Sequence, residues 1–91
     1  MRTNDFMTDE LIYIHLDNGI HKFYWSGVNL ELVSEYVKLF FKIHLTLPPA
    51  STMCILHDYR DTTAPSINTV ANIMKSYKLR NDIMLRIAYL Y

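Results

Sequence analysis

Two apolar-rich runs, Leu11 to Leu16 and Ile20 to Trp25, flank Asp17-Asn18-Gly19 near the start of the chain. Asn-Gly tolerates the positive φ values of a type I′ turn, so the segment predicts a β-hairpin. A two-residue loop at Asn18-Gly19 pairs Leu16 with His21, Ile14 with Phe23 and Ile12 with Trp25. This register gathers Ile12, Ile14, Leu16, Phe23 and Trp25 on a core face. Tyr13, His15, Lys22 and Tyr24 fall on an amphipathic face, and a slip of one residue would mix the two sets.

The period then changes. Asn29 is a candidate N-cap, and from Leu30 to Leu47 the residues Glu31, Glu35, Lys38 and Lys42 recur at steps of three and four. Val33, Tyr36, Val37, Phe40, Phe41 and His44 occupy the broader opposite side, which predicts a long amphipathic helix packed on a sheet. Pro48-Pro49 stops it. Met53 to Leu56 is continuously apolar, as an interior strand covered on both faces would be. Pro65 suits the first turn of a second helix, whose apolar face is Ile67, Val70, Ala71, Met74 and Tyr77. Arg80-Asn81-Asp82 reads as a turn, and Ile83 to Leu90 as a last strand with Arg86 the one charge inside it. The order β-β-α-β-α-β makes this an α/β chain. Residues 1–9 are polar and read as a disordered lead-in.

Composition narrows the class. Ninety-one residues, 51% of them hydrophobic and 20% charged, make one folded domain spanning 1–91. Nine Lys and Arg balance nine Asp and Glu, so no global field draws in nucleic acid or an anionic membrane. The longest strongly apolar stretch, Leu39 to Leu47, is broken by Lys42 and His44 and cannot span a bilayer. The start of the chain has no signal-peptide pattern. The single cysteine, Cys54, lies in an apolar run and reads as a small core hydrophobe, so no disulfide framework is expected. A cytoplasmic domain is the expectation.

The strongest functional signal is the passage from strand to helix. His57, Asp58, Arg60, Asp61, Thr62, Thr63 and Ser66 crowd a strand end and the helix start that follows, where α/β proteins commonly place their function. A metal site is not expected, because strand geometry sends His57 and Asp58 to opposite faces and no two histidines stand at metal-helix spacing. A catalytic site is not expected either: Cys54 has no evident activating partner and both glycines are explained by turns. Thr62 or Thr63 reads as the cap of the helix that Pro65 begins. His21 and His44 fall on apolar faces and read as satisfied core-edge histidines.

The hairpin, the entry Ser26-Gly27-Val28-Asn29-Leu30-Glu31 into a long helix, the strand ending in Leu56-His57-Asp58, and the strand Leu85-Arg86-Ile87-Ala88-Tyr89-Leu90 together resemble the STAS-like proteins. That is the fold of the bacterial anti-sigma-factor antagonists, and the resemblance covers about residues 11–90. It implies a four-stranded mixed sheet with helices mainly on one face. It further implies a non-enzymatic signalling module that binds a protein partner, a regulator or a kinase, and is controlled by phosphorylation in the loop Asp58 to Ser66. Asp58 is followed by Tyr59, and the hydroxyls that could carry phosphate come later, at Thr62, Thr63 and Ser66. The family's last helix has no counterpart up to Tyr91. A truncated domain and a partner filling that place both remain open.

Three functional readings follow. The first is a STAS-like interaction module that contacts its partner through Asp58, Tyr59, Arg60 and Asp61, with Tyr59 as aromatic anchor. The second is a domain for a small apolar ligand or lipid, with Tyr36, Phe40, Phe41 and Tyr77 framing the pocket. The third is a small hydrolase built on His57, Asp58 and Asp61. No cofactor is expected. The uncovered final strand and an aromatic sheet face predict a homodimer.

Overall fold

The computed structural model describes residues 10–91 and, as backbone, residues 3–7. The elements are β1 (Thr3–Met7), β2 (Leu11–His15), β3 (Ile20–Trp25), α1 (Leu30–Thr46), β4 (Thr52–Asp58), α2 (Ile67–Met74) and β5 (Met84–Leu90). The expected β-β-α-β-α-β order is present from β2 to β5, in a mixed sheet. The sheet runs β1-β2-β3-β4-β5. Its first three strands form an antiparallel meander; β3, β4 and β5 are parallel, joined by α1 and α2. Two successive crossovers that step the same way, each with the usual right-handed sense, place both helices on one face.

The lead-in read as disordered supplies a fifth strand, since Thr3–Met7 pairs with β2. Residues 1, 2, 8 and 9 lie outside the described residues. The outer edge of β2 carries backbone groups that need partners, and pairing through the main chain leaves no trace in side-chain polarity.

The hairpin register also differs from expectation. Leu11 pairs with Trp25, Tyr13 with Phe23 and His15 with His21. The cause is the turn. Gly19 N–H donates to the Leu16 carbonyl (3.0 Å), Leu16 N–H to the Ile20 carbonyl (2.9 Å), and within the loop only Gly19 is left-handed, at φ +87°. This is a three-residue loop, Asp17-Asn18-Gly19, with a turn followed by a left-handed glycine. The extra loop residue moves β2 by one, so the core face is Leu11, Tyr13, His21, Phe23 and Trp25. Ile12 and Ile14 lie half-buried on the face away from the helices.

Helix α1 forms as its pattern predicts. Asn29 caps it by accepting from Leu32 N–H (2.8 Å), and Leu32, Val33, Tyr36, Val37, Phe40 and His44 are buried. The expectation for the two histidines holds. His21 Nδ1 meets the Tyr13 hydroxyl at 2.7 Å, and His44 Nδ1–H donates to the Phe41 carbonyl at 2.7 Å. The freed Nε2 of His44 accepts from Arg80 N–H at 2.9 Å.

Arg80 closes the C-terminal end of α1. Its guanidinium donates to the carbonyls of His44 (3.1 Å) and Leu47 (2.6 Å) and forks onto Asp82. Helix C-termini leave carbonyls unpaired, and a guanidinium placed there satisfies them. Arg80→Ala is expected to lower stability by about 2 kcal/mol, the loss of two charge-assisted hydrogen bonds. Urea unfolding checks this; an unchanged midpoint would show the clamp to be ornamental.

Helix α2 is seated differently. Ser66 caps it, but none of its own residues is fully buried. Val70 and Met74 touch the core only in part, and Ile67 is exposed. The helix therefore lies over β4 and β5 with space beneath it.

Candidate ligand-binding site

That space is a cavity of about 450 Å³ between the parallel strands, α1 and α2. Strand alternation builds its floor. His57 is the last helix-facing residue of β4, and Trp25 is the last of β3. Tyr59 follows two residues on and keeps the same side, with its N–H donating to the Leu90 carbonyl at 2.8 Å. Tyr89 of β5 stands opposite His57 in the ladder. The rings of His57 and Tyr89 lie near-parallel at 5.5 Å, and those of Trp25 and Tyr59 at 5.8 Å. The walls are aliphatic: Val33 from α1, and Val70 and Met74 from α2. Among the described residues that line it, no side chain carries a formal charge at neutral pH.

Its polar groups form one short chain. An indole N–H can only donate, so Trp25 Nε1 donates to His57 Nδ1 at 3.2 Å. The imidazole proton then sits on Nε2, which meets the Tyr36 hydroxyl at 3.3 Å. Burial drives the His57 pKa down from 6.5 to about 4. The Trp25 donor works in the same direction, because a second N–H on Nδ1 would face it. Burial also pushes the hydroxyls of Tyr36 and Tyr59 up, so both stay neutral. The side chains of the site are therefore largely apolar or aromatic and uncharged, with a neutral imidazole and phenols as their hydrogen-bonding groups.

The residues expected to meet a partner divide sharply. Asp58 is on the other face of the sheet and buried. It accepts from Arg60 N–H (3.1 Å), Nε (3.0 Å) and Nη2 (2.8 Å), with Lys22 Nζ at 4.0 Å. The Arg60 hydrogen bonds hold its carboxyl below the usual carboxylate range. Asp58 is a turn anchor rather than a contact residue, because the two-residue step to Arg60 lets one side chain lock the loop. Tyr59 is likewise buried and cannot anchor a partner on the surface; the chain needs it to continue the aromatic floor. Arg60 and Asp61 are exposed, and Asp61 accepts from the Tyr24 hydroxyl.

Of the hydroxyls, Thr62 is half-buried, and its N–H turns back onto the Tyr59 carbonyl (3.2 Å). Thr63 and Ser66 are exposed. The cap of α2 is Ser66, whose Oγ accepts from Thr69 N–H at 3.1 Å, and neither Thr62 nor Thr63 performs that role. Pro65 stands outside the helix, one residue before its Ser66 cap. The hydrolase constellation does not assemble. His57 faces the cavity, whereas Asp58 points to the far side of the sheet and Asp61 joins Tyr24 there.

Of the residues expected to frame a pocket, Tyr36 and Phe40 do so. Phe41 and Tyr77 pack on each other at 5.0 Å outside the lining. Sequence reasoning missed Trp25, Tyr59, Tyr89 and Tyr91 as cavity residues. For the three tyrosines the signal was parity: His57-x-Tyr59 and Tyr89-x-Tyr91 each place two rings on one side of the sheet. Among the described residues no group of three potential ligands could hold a metal ion, and no helix is long and apolar enough to cross a membrane.

No family model matches the chain, and no curated protein or solved structure matches it.

Proposed function

We propose that this chain is a STAS-like, non-enzymatic domain of the cytoplasm that binds a neutral, largely apolar small molecule between α2 and the sheet and acts as a homodimer. The observation that carries the reading is the uncharged aromatic cavity of about 450 Å³, within the size range of small-molecule sites. The ligand this chemistry suits is flat or aliphatic, with one polar atom to meet Tyr59 or the Tyr36–His57 pair. A carboxylate or ammonium would lose its hydration with no opposite charge to replace it. The depressed pKa of His57 serves the same end, since an imidazolium would repel Trp25 N–H and admit water.

Trp25, the single tryptophan, reports on the site directly. Titration with N-phenyl-1-naphthylamine, a neutral apolar fluorophore, is expected to give saturable one-to-one quenching of Trp25. Val70→Phe, which fills the cavity from α2, is expected to weaken that binding by roughly tenfold or more, the cost of excluding a ring-sized group. Linear, non-saturating quenching, or equal affinity in the folded variant, would count against the reading.

A second reading keeps the loop as a protein-contact surface under phosphate control. It is favoured by the exposure of Arg60, Asp61, Thr63 and Ser66 along one rim between β4 and α2. Site-mapped intact mass of the protein from its own cells decides it. Phosphate on Thr63 or Ser66 supports the switch, and an unmodified chain across growth states removes it.

A further inference from the structure

The cavity holds a buried hydrogen-bond donor that the chain itself does not pair. Trp25 Nε1–H donates to His57 Nδ1 (3.2 Å), so the neutral imidazole carries its proton on Nε2. That proton is directed at the Tyr36 hydroxyl oxygen, 3.3 Å away. The indole N–H and both nitrogens of His57 are therefore occupied. Tyr36 is the acceptor in its only hydrogen bond, and its own O–H proton has no acceptor among the described residues. Tyr36 is 8% exposed and lines the cavity, so little bulk water reaches that proton. A buried donor left unpaired costs about as much as a lost hydrogen bond. A second phenol flanks the first. Tyr59 is 5% exposed, its hydroxyl has no partner among the described residues, and it stands near enough to oppose ionisation of Tyr36. Burial keeps both phenols neutral, so both retain their protons.

We infer that the cavity takes a neutral carbonyl compound, a ketone, ester or lactone on an apolar frame, whose oxygen accepts from the Tyr36 hydroxyl. The inference rests on the cavity as the ligand site of the proposed function and names the polar group of its ligand. The unpaired proton sets the sense of the bond: the site offers a donor, and the ligand supplies the acceptor. The ligand oxygen then ends the chain Trp25, His57, Tyr36, in which every donor meets one acceptor and each bond polarises the next.

Other polar groups fit this donor less well. A ligand group that only donates finds no free acceptor at Tyr36, because that oxygen already takes the His57 proton. An alcohol can accept from Tyr36, but it brings a proton of its own that must be paired in a largely apolar space. A carboxylate accepts strongly but buries its charge with no cation among the lining side chains. A carbonyl oxygen brings two lone pairs and no proton, and the second lone pair is open to Tyr59.

Two probes of one shape test the assignment: 2-acetylnaphthalene, a ketone, and 2-isopropenylnaphthalene, in which a methylidene carbon replaces the carbonyl oxygen. Equilibrium dialysis against the full chain and against Tyr36→Phe gives their dissociation constants. The preference for the ketone over the hydrocarbon is expected to fall roughly tenfold in Tyr36→Phe, the effect of one neutral hydrogen bond. The hydrocarbon affinity is the internal standard for an intact cavity. Tyr36→Phe also strips His57 of a partner and puts folding at risk, so the bound ketone is read in the unmodified chain as well. Isotope-edited infrared spectra, with the label on the carbonyl carbon, are expected to place its stretch at lower wavenumber than in cyclohexane, as donation from an O–H requires. A preference unchanged by Tyr36→Phe, or a stretch at the cyclohexane position, would overturn the carbonyl assignment, while saturable binding of both probes would still uphold the cavity as a ligand site. Saturable binding of neither probe would overturn both.

Discussion

Phe23→Ala is expected to cost about 3–5 kcal/mol, a large share of the margin of a domain this size. Phe23 is fully buried in β3, a central strand. Its ring packs on Tyr13 at 5.0 Å, edge-on to Tyr36 at 4.8 Å and beside His57 at 5.6 Å. These neighbours are held by hydrogen bonds of their own, Tyr13 to His21 and Tyr36 to His57, so they cannot close around the missing ring. The loss therefore includes a cavity as well as the transfer of the ring to water. Urea unfolding followed by Trp25 fluorescence measures it. A loss below about 1 kcal/mol would mean that the aromatic layer repacks freely, which rigid hydrogen-bonded rings do not do.

The second large effect is a fall in stability between pH 6.5 and about 4. His57 is neutral in the folded chain down to about pH 4, whereas in the unfolded chain it takes up a proton near pH 6.5. Between those values the unfolded state binds more protons, so stability is full above about 6.5 and declines as the pH drops. At about 1.4 kcal/mol per pH unit, the fall from 6.5 to about 4 amounts to about 3 kcal/mol. Asp82, held at about 2 by Arg80, and the Arg60-bound Asp58 act in a separate window. Their contribution is present above the ordinary carboxylate range and is lost only as the pH falls through it. Unfolding free energies at a series of pH values should thus show two steps, and His57→Phe should remove the upper one. A wild-type stability flat from pH 7 to 4.5 would mean that His57 protonates freely in the folded state.

The two effects share an origin in the same aromatic layer. Any ligand that enters beside His57 adds burial, so it is expected to lower the folded-state pKa of His57 further and extend the upper step to lower pH. The same layer carries Trp25, which lets one fluorophore report stability, acidity and occupancy.

Much of the fold was legible in the residues because each signal was local. Asn29 and the Glu31-Glu35-Lys38-Lys42 stripe define α1 by themselves, through a cap and a period of 3.6. Pro48-Pro49 ends it, and the continuous apolar run before His57 marks an interior parallel strand. The hairpin was legible as a hairpin but not in its register. One loop residue decides which face meets the core, and Asp17-Asn18-Gly19 supports loops of two or three. The strand at Thr3–Met7 was not legible, since backbone pairing at an edge needs no apolar pattern.

The strand-to-helix passage after β4 borders the cavity, through Tyr59, Ala64 and Pro65, but the residues expected to meet a partner there took other roles. The charges of Asp58 and Arg60 satisfy each other, and Tyr59 turns inward. By itself the sequence determined the elements from β2 to β5 and their order, because caps and periods act within short stretches of chain, whereas the sheet order β3-β4-β5 put both helices on one face. Only the tertiary structure decided which residues form the site. Trp25, His57, Tyr59 and Tyr89 come from three strands and the loop beyond β4, and the pairing of β3, β4 and β5 alone brings their rings onto one floor.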